Sequence, residues 1–360
     1  VQTCALPIYE TEVDGSREKR VSTRLVTSPT PGQPLLLPPD AGDQLNFVIR
    51  GLVAGDFHPL SVQGGGSVRD VAMAIPASGT APDAIVLIAN DGFGGFPRLS
   101  HRLEEAGLLP DSLTLLPASV GAVDRLLYAT PDARLSVWRH DPNGPAVQVP
   151  DASSTSLRLL ASDPLLQTTA ITDASRLRIG DVDGDGIDDV VALLSFGLPG
   201  EGQAALALLR GKAAVGVGEF PFHVPTSLTL VHGNASSLVL GDFAGNGAGL
   251  PRRLEVAVAV PAATQSGGLD GDHIRFYRHQ AGATPAEGVL VPAALANGPQ
   301  VLLADSKPTE LAAADFDRDG TTDLLVACSG DSTLRLFRNT SPIDVAAVGV
   351  DVAEIGRAHV

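Results

Sequence analysis

Short apolar runs alternate with turns rich in Gly, Asp and Asn along most of the chain. Residues 190–194 and 324–328 are apolar throughout. Each of these runs is followed, after a turn, by a second stretch of strand-like residues, at 204–211 and 333–339. Runs of this length between turn residues predict β-strands, and successive pairs of them predict antiparallel hairpins.

The predicted strands belong to an internal repeat. Residues 323–338 align without a gap to residues 124–139, with Asp, Leu, Asp, Leu and Arg identical at matching places. In a second pair of repeats, Gly-Asp-Phe at 55–57 and at 241–243 precedes an apolar run that begins with an acidic residue. Five units result, and their first loops begin at Asp56, Leu116, Asp181, Asp242 and Asp315.

Each unit is interpreted as four strands joined by turns, which is typical of a β-propeller blade. A lone four-stranded sheet cannot bury both of its faces, so each blade must stack on its neighbours. We therefore predict an all-β chain, a β-propeller of four-stranded antiparallel blades with five recognisable repeats and partial strands at the ends.

The predicted propeller covers residues 21–352, and residues 33–37 and 344–352 are strand-like candidates to complete a neighbouring blade. Residues 1–9 and 354–360 resemble translated adaptor sequence, so residues 1–20 and 353–360 are expected to be artefactual or disordered tails, and the chain a fragment. The blades are expected at residues 45–110, 111–168, 169–232, 233–304 and 305–350.

Composition narrows the classes of function. The chain has 39 Gly and 27 Pro but only 4% aromatic residues, which favours many short strands and turns over long helices. A formal net charge of −16 argues against a nucleic-acid partner, which needs a basic face. No apolar run approaches about 18 residues, so no membrane span is expected in this chain.

Cys4 and Cys328 cannot form a disulfide framework, and Cys328 is predicted to be an inert core residue.

The most informative polar positions lie between the first two predicted strands of two units. Carboxylates recur there at positions 1, 3, 5 and 9 of a loop that carries Gly at position 6. Such crowding of negative charge predicts Ca²⁺, which takes six to eight oxygen ligands in flexible geometry, and position 7 would add a backbone carbonyl. The predicted ligands are Asp181, Asp183, Asp185, Ile187 and Asp189 in one loop, and Asp315, Asp317, Asp319, Thr321 and Asp323 in the other.

An EF-hand begins with the same pattern but needs a bidentate Glu at position 12 and helices on both sides. Position 12 is Ala192 in one loop and Val326 in the other, and an apolar, strand-like run follows each loop. The EF-hand is therefore excluded, and a calcium loop between two strands remains.

Two further loops keep part of the pattern, so two calcium sites are predicted and up to four are considered. The loop at Asp242 keeps Asn246 at position 5 and a delayed acid, Glu255, but has Ala244 at position 3. The loop at Asp56 keeps Asp70 as its closing acid after an insertion. The loop at 116 has apolar residues at the ligand positions and is predicted to bind no metal.

These motifs resemble FG-GAP/VCBS repeats, the blades of integrin α-subunit propellers and of many bacterial extracellular proteins. The resemblance rests on residues 177–191 and 311–325, with a glycine hairpin at 86–96, and covers roughly residues 45–345. It implies Ca²⁺ between the first two strands of a blade, and adhesion or ligand recognition rather than catalysis. We therefore expect a non-catalytic extracellular or cell-surface binding module for an unknown protein or glycan ligand.

Two alternatives stay open: the propeller portion of a secreted carbohydrate-active or other degradative enzyme, and a purely architectural spacer. No HExxH, Gly-x-Ser-x-Gly or Walker motif is present, so no catalytic residue is assigned. An Arg near the end of the third strand of four units is interpreted as a solvated edge charge, with a contact surface for anionic ligands as the alternative. These residues are Arg139, Arg210, Arg278 and Arg338.

Overall fold

A computed structural model gives the structure of the chain over most of its repeats. The described residues are 51–57, 69–75, 83–89, 98–104, 109, 112–117, 124–130, 134–139, 149–156, 171–196, 203–215, 219–225, 227–231, 233–244, 253–262, 272–284, 287–295, 301–303, 306–339, 349–350 and 352–359. Cys4, Asn246 and the strand-like residues 33–37 lie outside them.

The described residues form β-strands, turns and a few isolated bends, as predicted for an all-β chain. Sheet 1 contains β1 (Gly51–Gly55), β2 (Asp70–Ile75), β3 (Ala84–Ala89) and β4 (Arg98–Glu104). Sheet 2 contains β5 (Thr114–Leu116), β6 (Arg125–Ala129), β7 (Arg134–Arg139) and β8 (Val149–Ser156). Sheet 3 contains β9 (Ile171–Gly180), β10 (Asp189–Phe196), β11 (Gln203–Leu209) and β12 (Thr229–Val231).

Two further sheets follow in the chain. Sheet 4 contains β13 (Ser237–Gly241), β14 (Glu255–Val260), β15 (His273–Gln280) and β16 (Val289–Pro292), and β18 (Val301–Leu303) also pairs with β15. Sheet 5 contains β19 (Pro308–Ala314), β20 (Asp323–Cys328), β21 (Thr333–Asn339) and β23 (Val352–His359). A short parallel pair joins β17 (Ala294–Leu295) to β22 (Gly349–Val350).

The main path of each of the five sheets runs through its strands in sequence order, with β22 outside sheet 5. The last strand of sheet 5 is drawn from the C-terminal residues that the sequence analysis set aside as a tail. It pairs antiparallel with β21 from Thr333↔His359 to Asn339↔Val352.

The chain divides into two compact units, residues 1–130 with 136–152 and residues 131–135 with 153–360. In the second unit, sheets 3, 4 and 5 pack face to face in sequence order. Val191 and Leu206 of sheet 3 share a buried cluster with Val258 of sheet 4. Phe276 of sheet 4 shares a second one with Val326 of sheet 5. Sheet 4 is therefore apolar on both faces, which explains the continuous apolar run of its second strand.

The first strands of these three sheets also meet. The hydroxyl of Ser237 in β13 donates a hydrogen bond of 2.9 Å to Glu310 in β19. Arg176 in β9 donates to the same carboxylate at 2.8 Å. Strands 134 residues apart in sequence are thus joined across the first strand of the intervening sheet. The first strands of sheets 3, 4 and 5 therefore converge.

The residue at loop position 2 packs between successive sheets. Phe57, Val182 and Phe243 are each at most 1% exposed, and Phe243 lies edge-on to Phe276 with 5.3 Å between ring centroids. The equivalent residue of sheet 5, Phe316, is 42% exposed. Sheet 5 is the last sheet in the described part of the second unit, so Phe316 has no following sheet there to pack against.

Because Phe243 is buried and Phe316 is exposed, replacing each by Leu should destabilise the protein by different amounts. Phe243→Leu should lower the free energy of unfolding by about 1 kcal/mol, because it reshapes a filled core position. Phe316→Leu, the matched control, should change it by less than about 0.5 kcal/mol, as is usual for surface substitutions. Urea unfolding measures both. Equal losses would show that Phe316 is also packed.

Candidate metal centre

The two acid-rich loops connect the first and second strands of sheets 3 and 5. The 181 loop (residues 181–189) leaves β9 and enters β10, and the 315 loop (residues 315–323) leaves β19 and enters β20. In each loop, three carboxylates bring one oxygen apiece within 4.8 Å of one another. The two groups are Asp181, Asp183 and Asp189, and Asp315, Asp317 and Asp323. Positions 1, 3 and 9 of the predicted ligand set are therefore brought together twice.

The position-5 residues lie outside these groups. Asp185 accepts a hydrogen bond from the backbone N–H of Ile187 at 2.9 Å. Asp319 accepts one from the N–H of Thr321 at 2.9 Å and another from its hydroxyl at 2.5 Å. The Thr321 hydroxyl, with Arg338, lowers the pKa of Asp319 to about 2. The carboxylates at position 5 thus brace the turn, and metal ligation by them and by the position-7 carbonyls remains a prediction.

Backbone N–H groups wrap around the first carboxylate of each loop. Asp181 accepts from Gly184 at 2.6 Å and from Gly186 at 2.9 Å. Asp315 accepts from Asp319 and from Gly320, both at 3.0 Å. The glycine at position 6 has φ of 83° in one loop and 89° in the other, a left-handed conformation that favours Gly. A Cβ at Gly186 would meet nothing within 4 Å, so backbone conformation and not space requires this glycine.

The closing acid of each loop ties three segments together. Asp189 accepts from the N–H of Val182 in its own loop and from the N–H of Gly211 just beyond β11, both at 2.9 Å. Asp323 likewise accepts from Phe316 at 3.0 Å and from Asn339 at the end of β21 at 2.9 Å. Both Asp residues are fully buried. Their spacing in the sequence predicts metal binding alone, whereas this structural role depends on the distant segments at Gly211 and Asn339.

The pKa of Asp189 is raised to about 7, because burial and the nearby carboxylates of Asp183 and Asp185 raise it more than two backbone N–H groups lower it. A raised pKa means that the surroundings disfavour the negative charge of this carboxylate. A cation among the three oxygens would lower the pKa. Asp183, another member of the group, is only 7% exposed. One of its oxygens accepts from the N–H of Asp185, and the other meets the guanidinium of Arg210.

Two of the four arginines near the ends of third strands are not free edge charges. Arg210 forms ion pairs with Asp183 and with Asp185, the latter at 3.3 Å. Arg338 forms ion pairs with Asp317 at 2.6 Å and Asp319 at 2.7 Å. Both residues are therefore paired with loop carboxylates, although the side chain of Arg338 is still 43% exposed, as a solvated edge charge would be. The pairing could have been inferred from the strand order. The third strand runs antiparallel to the second strand, so its end lies beside the loop that precedes the second strand.

The weaker predicted loops do not assemble such a group among the described residues. Glu255 turns into its own loop, where one oxygen accepts from the N–H groups of Phe243 and Ala244 at 2.9 and 3.0 Å. The N–H of Asp56 donates at 2.9 Å to Asp124, the acid that opens the second strand of sheet 2. Asp70 is fully buried at the start of β2, and Asp242 is half-buried.

Glu255 provides a pH prediction that is independent of the two complete loops. Burial raises its pKa to about 7, so between about pH 4.5 and 7 the folded protein holds a proton that the unfolded chain has lost. This contribution to stability is present at low pH and is lost as the pH rises through about 7. In chelator, the fall in melting temperature from pH 5.5 to 8 should be smaller for Glu255→Gln than for the unchanged protein.

The variant is needed because other groups titrate in the same range. Burial lowers the pKa values of His223 and His279, which makes stability rise with pH through their range. The difference in pH dependence between Glu255→Gln and the unchanged protein isolates the contribution of Glu255. An identical pH dependence would show that Glu255 is ionised throughout.

The chain was compared with known proteins. No family model and no curated protein matches it. The BBS1N structure in complex with ARL6DN, soaked with lead, is 13% identical over 85% of this chain and 69% of that chain, with a TM-score of 0.44. The Dos1 propeller is 9% identical over 87% of this chain and 59% of that one, with a TM-score of 0.43. The Nup133 β-propeller domain of Vanderwaltozyma polyspora is 12% identical over 80% and 70%, with a TM-score of 0.45.

All three TM-scores lie below 0.5, so these likenesses support no conclusion about function. The fold described above rests on strand pairing and packing alone. The described residues include no helix with the length and hydropathy of a membrane span.

Proposed function

We propose that the 181 and 315 loops bind Ca²⁺ and that the chain is a calcium-stabilised, non-catalytic binding module of an extracellular or cell-surface protein. Its sheets would be the blades of an FG-GAP/VCBS-type propeller. The observation that carries the proposal is that two acidic groups, 134 positions apart in sequence, are built at the same point of two sheets.

The chemistry of the donors favours calcium over other metals. Every donor in the two groups is a carboxylate oxygen, whereas Zn²⁺ and the later transition metals favour His and Cys ligands. Mg²⁺ requires near-ideal octahedral geometry and keeps several waters, while Ca²⁺ accepts more oxygens at flexible angles. A loop with three carboxylates and nearby backbone carbonyls therefore suits Ca²⁺ best.

The residues of the loop would hold the ion between two strands. Asp181 lies directly after β9 and Asp189 opens β10, so an ion bound by both would clamp the ends of two neighbouring strands. Asp183, at the turn between them, would close the site. When bound, calcium supplies positive charge that offsets the repulsion among these carboxylates, and its role in this proposal is structural.

The ligand surface is proposed to lie on the unit-specific insertions, residues 59–69, 195–203 and 262–272. Most of these residues lie outside the described part of the chain. Variable loops carried on a rigid scaffold are common binding elements.

The binding role can be tested by probing the purified chain on a glycan array and on an array of extracellular matrix proteins, in millimolar calcium and in excess chelator. We expect retention of at least one class of glycan or protein in calcium and its loss in chelator. The same protein should release no reducing ends from a panel of polysaccharides. Turnover of a polysaccharide would instead support the enzyme alternative, and failure to bind on either array would support the architectural spacer.

A further inference from the structure

An arginine side chain lies beside each of the two complete acidic loops. Arg210 lies just beyond the end of β11. Arg338 is the second-to-last residue of β21, the equivalent strand of sheet 5. Each arginine contacts the carboxylates at positions 3 and 5 of the loop in its own sheet. The same contact therefore occurs twice in one chain, at matching positions.

The position-3 carboxylate is shared between two roles. Asp183 belongs to the group of carboxylates that could hold an ion, and one of its oxygens contacts Arg210. Asp317 has the same two relationships, with Arg338 2.6 Å away. A guanidinium so close to the oxygens would repel a divalent cation and occupy acceptor sites that the cation needs.

From these contacts we infer that Arg210 and Arg338 are built-in competitors that lower the affinity of their loops for calcium and neutralise them when no ion is bound. This inference rests on the proposed calcium binding. Binding of the ion would release the guanidinium from the position-3 carboxylate. The ion-free loop would keep its shape because a tethered positive charge replaces the ion.

Sheet 4 contains a natural control. Arg278 lies at the same end of its third strand, but position 3 of the loop in that sheet is Ala244. Arg278 is exposed and forms no ion pair with a described acidic residue. Removing Arg278 changes the net charge of the protein by the same amount as removing Arg210 or Arg338, without changing either acidic group.

The test is a calorimetric titration of the full chain with calcium alone. The variants are Arg210→Gln, Arg338→Gln, Arg210→Lys and the control Arg278→Gln. Arg210→Gln should tighten one of the two sites about tenfold, within the range usual for coupling between two bound species. Arg338→Gln should have a smaller effect, because its side chain is 43% exposed against 19% for Arg210 and solvent screens it more.

Arg278→Gln should leave both affinities unchanged, and Arg210→Lys should keep most of the competition because it keeps the charge. A second measurement separates competition from a purely supporting role. In chelator, Arg210→Gln should melt at a lower temperature than the unchanged protein, and in excess calcium that difference should shrink.

Unchanged or weaker calcium binding by Arg210→Gln and Arg338→Gln, with normal binding by the unchanged protein, would overturn this inference and leave the proposed function standing. No binding by any of the proteins would overturn both. Binding by Arg210→Gln but not by the unchanged protein would overturn the proposed function and leave the competition by the arginine standing.

Discussion

Removing calcium should lower the midpoint of thermal unfolding by about 10 °C. If free calcium is about 100-fold above the dissociation constant, each ion contributes about 2.7 kcal/mol by mass action, so two sites contribute about 5 kcal/mol. In a chain of this size, about 1 kcal/mol corresponds to roughly 2 °C. Differential scanning calorimetry in millimolar calcium and in excess chelator measures the shift.

Single substitutions divide the shift between the loops. Asp183→Asn and Asp317→Asn each remove one member of a group of three oxygens, so each should abolish about half of the calcium-dependent shift. Asp188→Asn is the matched control, because Asp188 lies in the same loop but outside that group. A melting curve that is the same in calcium and in chelator would show that the loops hold no stabilising ion.

Asp323→Ala should destabilise the protein by about 2–6 kcal/mol even when no calcium is present. Asp323 is fully buried and accepts hydrogen bonds from the N–H groups of Phe316 and Asn339. Its removal leaves two donors without an acceptor, and each such buried group costs about 1–3 kcal/mol. Urea unfolding in excess chelator measures this loss.

Two variants separate this effect from a general loss of charge in the loop. Asp323→Asn keeps one carbonyl oxygen and should cost less than Asp323→Ala. Asp319→Ala removes an exposed carboxylate from the same loop, and its solvent-screened ion pair with Arg338 should contribute little to stability. If Asp319→Ala and Asp323→Ala lose the same stability in chelator, then Asp323 does not tie the loop to β21.

The strands and loops of sheets 3 to 5 could be predicted from local patterns. Second strands such as β14, which is apolar after its opening Glu255 and buried at every position, identify sheets that are covered on both faces. The spacing of Asp181, Asp183 and Asp189 identifies carboxylates that a single tight turn brings together. Both kinds of signal depend on neighbours in sequence, and sequence patterns report such neighbours well.

The features that could not be predicted depend on distant segments. The contact of Arg210 with Asp183 exists because β11 runs antiparallel to β10 and ends beside the loop. The exposure of Phe316 depends on the absence of a following sheet in the described part of its unit, although its sequence context matches that of the buried Phe243. Strand β23 has a weak alternating pattern, with Gly356 and three charged or His residues among its eight, and its place is set by pairing with β21.

The most direct test is to count the calcium ions bound by the full chain at equilibrium, by dialysis against calcium of known concentration. The account predicts two ions per chain, one after Asp183→Asn or Asp317→Asn, and none after both substitutions together. A folded chain that binds no calcium, or a double variant that still binds two ions, would contradict it.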